Sequence, residues 1–136
     1  MSWADIVAAA QAIRDDAAGA GEARLGDLRI VGIAWATVEA DRAFRELATL
    51  LGEATWVPQA RDSLIGASVW RRDPSPPGGP SLFVVEPDID RRLAANLARF
   101  GEGVGAVYLA GGGEADRLVA VNPRWGPYVI VRSRSG

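Results

Sequence analysis

Apolar residues recur at helical spacing from the start of the chain, with Trp3, Ile6, Val7, Ala10 and Ile13 on one face. Ser2 followed by Asp5 three positions later has the form of a capping box. Together they predict an amphipathic helix to about residue 17. Segment 17–27, rich in glycine and alanine, reads as a linker. The pattern then changes: LRIVGIAWA at 28–36 is largely apolar, as in a strand buried on both faces. A second helix is expected over about 38–51, with Thr37 as cap, Glu39 and Asp41 at its positive end, and Gly52 as its stop. Its buried stripe would be Ala40, Phe44, Leu47 and Leu51.

Strands are expected at 53–59 and 63–72, and the proline-rich DPSPPGGP at 73–80 then enforces a loop. SLFVVE at 81–86 is a further strand. Asp88 can cap a third helix with the face Ile89, Leu93, Leu97 and Phe100, ended by Gly101. Three more strands fit 104–110, 117–121 and 128–133. Runs of strands broken by single helices predict an α+β fold rather than a doubly wound parallel sheet. The expected organisation is a single domain, with a helix and linker over 1–27 and the main body over 28–136.

Composition removes several kinds of chemistry. The chain has neither cysteine nor histidine, which excludes disulfides, thiol nucleophiles, iron–sulfur clusters and imidazole ligands. All 15 basic residues are arginine, and the formal net charge is -2. That balance gives no general reason to bind nucleic acid or an anionic membrane. No apolar run reaches the roughly 18 residues of a membrane span. The start of the chain carries Asp5, Asp15 and Asp16 and has no basic residue before its apolar stretch, unlike a secretory signal, so a cytoplasmic location is expected.

Three segments together resemble the vicinal-oxygen-chelate superfamily, which includes glyoxalases, bleomycin-resistance proteins and methylmalonyl-CoA epimerases. VGIAWATVEADRAFRELATLLG (31–52) looks like its opening strand and helix. LFVVEPDID (82–90) is similar to the fourth strand of its first βαβββ module, and GEGVGAVYLA (101–110) to the approach to its second. The tail GPYVIV would be the closing strand. The resemblance implies paired βαβββ-type modules forming a curved, partly closed sheet. Here the second module is truncated, since AGGGEAD leads straight to LVAV where relatives have a helix. The extra N-terminal helix is expected to cover the face this leaves bare, in the same chain or a neighbour. A symmetric homodimer is expected as the simplest closure, through Trp125 and strand 128–133, or through helix 2–17.

Metal-binding members of the superfamily hold a divalent ion between histidines and glutamates. The positions that the resemblance assigns to those ligands are Ile30, Phe83, Ala106 and Ile130 or Val131, all apolar. No metal or cofactor is therefore expected. With Ile30 on the concave side, alternation adds Gly32, Ala34, Phe83, Val85, Ala106, Tyr108 and Ala110 as cavity residues, with Val31, Ile33 and Trp35 facing the helix. These side chains either line a pocket for a small apolar or aromatic molecule or fill the barrel. Trp125, in the turn NPRWGPY, is a further candidate contact.

Any general base would have to be a carboxylate or tyrosine, which leaves Glu86, Asp62 and Tyr108. Alternation directs Glu86 away from the concave side, and Asp62 reads as a turn aspartate. Arg71-Arg72, Arg91-Arg92 and Arg132/Arg134 can pair with an anion such as a CoA phosphate, although solvated charge is the simpler reading. Three functions remain open: a metal-free small-molecule binding protein; a metal-independent isomerase, lyase or cyclase; and an interaction module with a filled barrel.

Overall fold

The computed structural model describes residues 1–75, 79–88, 102–111, 115–119 and 127–133. Ser2 caps helix α1 (Trp3–Ala20) through the reciprocal bonds expected of a capping box with Asp5. The helix runs three residues beyond the position expected, because the alanines after Asp16 favour helix. The segment read as a linker is also ordered. Ala23–Asp27 forms a short 3-10 helix, and its Leu25 is fully buried. Glu22 receives two hydrogen bonds from Arg117, at 2.9 and 3.0 Å, which fastens this segment to the far end of the sheet.

The body contains strand β1 (Ile30–Ala36), helix α2 (Ala40–Leu51), and strands β2 (Thr55–Asp62), β3 (Ala67–Asp73) and β4 (Ser81–Pro87). Strands β5 (Gly103–Ala110), β6 (Arg117–Val119) and β7 (Tyr128–Arg132) follow. The third helix expected after Asp88 and the turn around Trp125 lie outside the described residues. One mixed sheet runs in the order β2-β3-β4-β1-β5-β7-β6. β4 lies parallel to β1, and β7 lies parallel to β5, with β1 antiparallel to β5 at the centre. The halves β3-β4-β1 and β5-β7-β6 thus repeat one pattern of pairing. Only residues 111–116 separate β5 from β6, so the second half is truncated as expected.

One face of the sheet is covered by helices. Ile33, Trp35, Leu82, Val84, Val107, Leu109, Val129 and Val131 meet Ala40, Ala43 and Leu47 of α2 and Ile6, Ala10 and Ala17 of α1. Helix α1 packs on β5, β1 and β7, so it covers the truncated half within the same chain. Phe44 stacks on Trp56 at 5.0 Å and meets Trp70 edge-on at 5.7 Å, which places both strand tryptophans under α2. Strand β7 is paired with β5 on one side and, through Val129, Ile130 and Val131, with β6 on the other, so this stretch offers no free edge for the dimer contact expected of strand 128–133. No helix of the described residues is long and apolar enough to cross a membrane.

The start of α2 differs from expectation. Its N-cap is Glu39, which makes no side-chain cap. Thr37 instead accepts from the Glu39 amide at 3.1 Å, while the Ala40 amide donates to Glu86 at 2.9 Å and the Val38 amide to Glu102 at 3.1 Å. Carboxylates from the end of β4 and the start of β5 satisfy the helix entrance.

Burial of Ile6 makes α1 part of the core. Ile6→Ala is expected to lose roughly 2–5 kcal/mol in urea denaturation. An unchanged midpoint would show that the helix contributes nothing to the stability of the sheet.

Candidate functional site

The other face carries no helix among the described residues, and an open cleft of about 800 Å³ lies on it. Its floor is built around Gly32, which pairs with Tyr108 of β5 across the central seam. A Cβ at Gly32 would lie 2.7 Å from Phe83 Cε2 and 3.1 Å from Tyr108 Cδ2. The absence of a side chain thus lets the two rings close over the strand. They meet edge-to-face with centroids 5.6 Å apart. Val31, Val69 and Ala110 extend the apolar floor.

Strict alternation from Ile30 fails here. The β1–β5 register shifts between Ile30 and Gly32, leaving Val31 as a bulge. Val31 consequently joins Gly32 at the cleft, whereas Ile30 packs with the helix-covered core. Ile30 is therefore not a cleft residue, and Val31 does not face the helix. Ala34, Val85 and Ala106 lie on the open face as expected, but they are fully buried beneath the cleft rather than lining it. The register also places Ile130 on the open face and Val131 on the helix side.

Asp62 closes β2 instead of sitting in the following turn, because its carboxylate organises that turn. Oδ1 accepts from the Leu64 and Ile65 amides at 2.9 and 3.3 Å. Ile65 is thereby folded into the buried cluster of the open face. Oδ2 accepts from the Tyr108 hydroxyl at 2.7 Å. Two of the three candidate acid–base residues thus meet at the cleft wall. Burial, then the charge and hydrogen bond of Asp62, push the Tyr108 phenol well above its ordinary range, so it stays protonated. The third candidate, Glu86, caps α2 and does not line the cleft.

Among the described residues, four arginines, Arg29, Arg61, Arg71 and Arg132, line the cleft with two carboxylates, Asp62 and Asp116. Adjacent residues diverge here: Arg71 lines the cleft, while Arg72 turns to the opposite side and donates to the Leu51 carbonyl at 3.2 Å, at the end of α2. The Arg132 guanidinium lies 4.4 Å from the centre of the Tyr108 ring and 3.6 Å from Asp116. Arg61 pairs with Asp88. Arg91, Arg92 and Arg134 lie outside the described residues. Sequence reasoning missed Arg29 and Arg61, since neither belongs to a pair or a motif.

The divalent ion implied by the resemblance does not fit this face. Phe83, Ala106 and Ile130 present no donor atoms to it, and Asp62 already takes three hydrogen bonds. Among the described residues, no group of three ligating side chains converges.

Removing the Tyr108 hydroxyl would leave Asp62 Oδ2 without its donor. Tyr108→Phe is expected to cost about 1–3 kcal/mol in urea denaturation. Equal stability of the variant would show that the pair does not anchor the turn.

No family model matches the chain, and no curated protein matches it in sequence. Solved structures do match. A variant of Streptomyces coelicolor methylmalonyl-CoA epimerase in complex with 2-nitronate-propionyl-CoA is 16% identical, with a TM-score of 0.53, and the match covers 77% of this chain and 97% of that one. The Mycobacterium tuberculosis methylmalonyl-CoA epimerase is 14% identical, with a TM-score of 0.56, over 76% of this chain and 85% of its own. A hypothetical protein from Bacillus halodurans C-125 is 10% identical, with a TM-score of 0.56, over 78% and 94%. At these identities the likeness is one of architecture: the chain has the fold of the vicinal-oxygen-chelate superfamily, to which the epimerases belong.

Proposed function

We propose that the protein binds a small organic molecule in the open-face cleft, without a metal ion. The observation that carries this reading is the floor formed by Gly32, Phe83 and Tyr108, where two aromatic rings close over a bare backbone and leave about 800 Å³ open above them. A packed barrel would have placed side chains in that space. The structural neighbours support small-molecule binding by analogy of fold, one of them being a methylmalonyl-CoA epimerase in complex with methylmalonyl-CoA and NH4+.

A binding role is favoured over acid–base catalysis by the state of the Tyr108–Asp62 pair. The phenol donates its proton to the carboxylate, and the carboxylate holds two amides of its own turn. Both groups are therefore engaged in building the wall of the cleft. The apolar donor positions support the metal-free part of the reading. Melting curves recorded with chelator, zinc, nickel or magnesium are expected to coincide, and a saturable metal-dependent rise in Tm would overturn it.

The binding site itself is tested with naphthalene derivatives of different charge, titrated into isotopically labelled protein. Amide shifts at Gly32, Phe83 and Tyr108 are expected. Val31→Trp, at a half-buried position on the cleft floor, should fill the site and abolish them while the protein stays folded. Unchanged titration of that variant would place binding elsewhere.

A further inference from the structure

Among the described residues, arginines outnumber carboxylates two to one in the lining of the cleft. Four of the 15 basic residues line this one opening, in a protein whose formal net charge is -2. Their positions are fixed by backbone as well as by side chains. The Ala110 amide donates to the Arg29 carbonyl at 2.8 Å, and the Gly111 amide donates to the Arg132 carbonyl at 3.1 Å. Consecutive residues at the end of β5 thus hold the two arginines on either side of it. Gly111 makes this approach possible, since a Cβ there would fall 2.2 Å from Val131 Cγ1 and 2.8 Å from the Arg132 carbonyl. Arg71 pairs in register with Phe83 at the opposite side of the floor.

Internal carboxylates take up only part of this charge, Arg61 being the arginine paired most closely, with Asp88. Arg29 has no carboxylate partner among the described residues and is exposed. Among the described residues Arg71 has one carboxylate nearby, Asp73 at 3.9 Å, which is itself largely exposed. Asp62 is occupied by the Tyr108 hydroxyl and its own turn. Arg132 keeps a contact with Asp116, but stacking over Tyr108 holds its guanidinium above the aromatic floor. Guanidinium groups beside a partly enclosed apolar floor suit a ligand with a flat apolar body and an anionic oxyacid head.

Resting on the reading of the cleft as a small-molecule site, we propose that its ligand is an organic anion. The head group, a carboxylate or a phosphate, is held by Arg29 and Arg132 at the end of β5, and the apolar body lies against Val31 and Phe83 toward Arg71. This charge requirement distinguishes the site from a purely apolar pocket, which would take a neutral molecule of the same shape equally well.

Three probes of one shape separate the possibilities: 2-naphthoate, 2-naphthyl phosphate and neutral 2-naphthamide, each titrated while amide shifts are followed. At least one anion is expected to bind roughly tenfold more tightly than the amide, and the tighter anion identifies the head group. Arg29→Gln, at an exposed position that leaves the core intact, should weaken that anion severalfold without changing the amide, and Arg71→Gln, at the opposite side of the floor, should weaken it less. The advantage of the anion should also shrink at high salt. Equal binding of all three probes in the cleft would overturn the anion requirement and leave the small-molecule reading standing. Failure of all three to perturb the cleft would overturn both.

Discussion

The antiparallel pairing of β1 with β5 joins the two halves of the sheet, and the faces of the whole molecule follow from its register. Ile33 opposite Val107 and Ala34 opposite Ala106 assign one set of side chains to the helices and the other to the open side. A one-residue slip would exchange the two sets, placing the small alanines against helix α2 and the large aliphatics in the cleft. A second register shift lies between Ala34 and Trp35, and the bulge at Val31 changes the assignment where β1 begins. It adds an apolar residue to the cleft floor and returns Ile30 to the core, so the end of β1 serves both faces without breaking the seam.

Truncation of the second half creates a physical requirement that α1 meets. In the first half, α2 buries Trp56, Trp70, Leu82 and Val84 beneath Phe44 and Leu47. In the second, only residues 111–116 join β5 to β6, too few for a helix of the length of α2. Val107, Leu109, Val129 and Val131 would then face water, at a cost of about 1.5–3 kcal/mol for each large side chain exposed. Ile6, Ala10 and Ala17 cover them from the N-terminal side. The alanines allow α1 to lie close to the strands, and Leu25 extends the cover past the end of the helix. The N-terminal segment therefore belongs to the same hydrophobic core as the sheet.

Much of this architecture was legible in local pattern. The capping box, the apolar stripe of α1, the buried strand LRIVGIAWA and the missing helix after β5 all leave their mark within a few residues of one another. What escaped depends on contacts distant in sequence. The bulge at Val31 is invisible to alternation, because its cause is the pairing with Leu109 and Tyr108 on another strand. Leu25 looked like part of a linker, since a lone leucine among small and polar residues carries no period. Asp62 and Tyr108 were each singled out, but their hydrogen bond spans 46 positions and has no local signature. The role of Glu86 was hidden in the same way, because it caps a helix that starts 46 residues earlier. The cleft arginines come from four separate segments, and Arg71 differs from Arg72 only in the face to which its strand directs it.

The same dispersal explains why the resemblance and strand alternation pointed toward an apolar site while the structure sets arginines around an apolar floor. A net charge describes the average over the surface, whereas recognition depends on what converges. The acidic residues of this chain are largely drawn into structural tasks: Asp5 in a capping box, Glu86 and Glu102 at the entrance of α2, Glu22 on Arg117 and Asp62 in its turn. Each is consumed where it stands, at a backbone amide or a neighbouring guanidinium. The arginines brought to the open face by β1, β3 and β7 are incompletely matched, and the aromatic rings below them lower the local dielectric in which an anion would be held. With no lysine or histidine in the chain, guanidinium is the side-chain cation available to neutralise an anion at this face. In the proposed reading the cleft differs from a metal-centred site of the same fold in this respect. Its positive charge is spread around the rim and leaves the floor free for an apolar body, where a central ion would have required ligands rising from the floor itself.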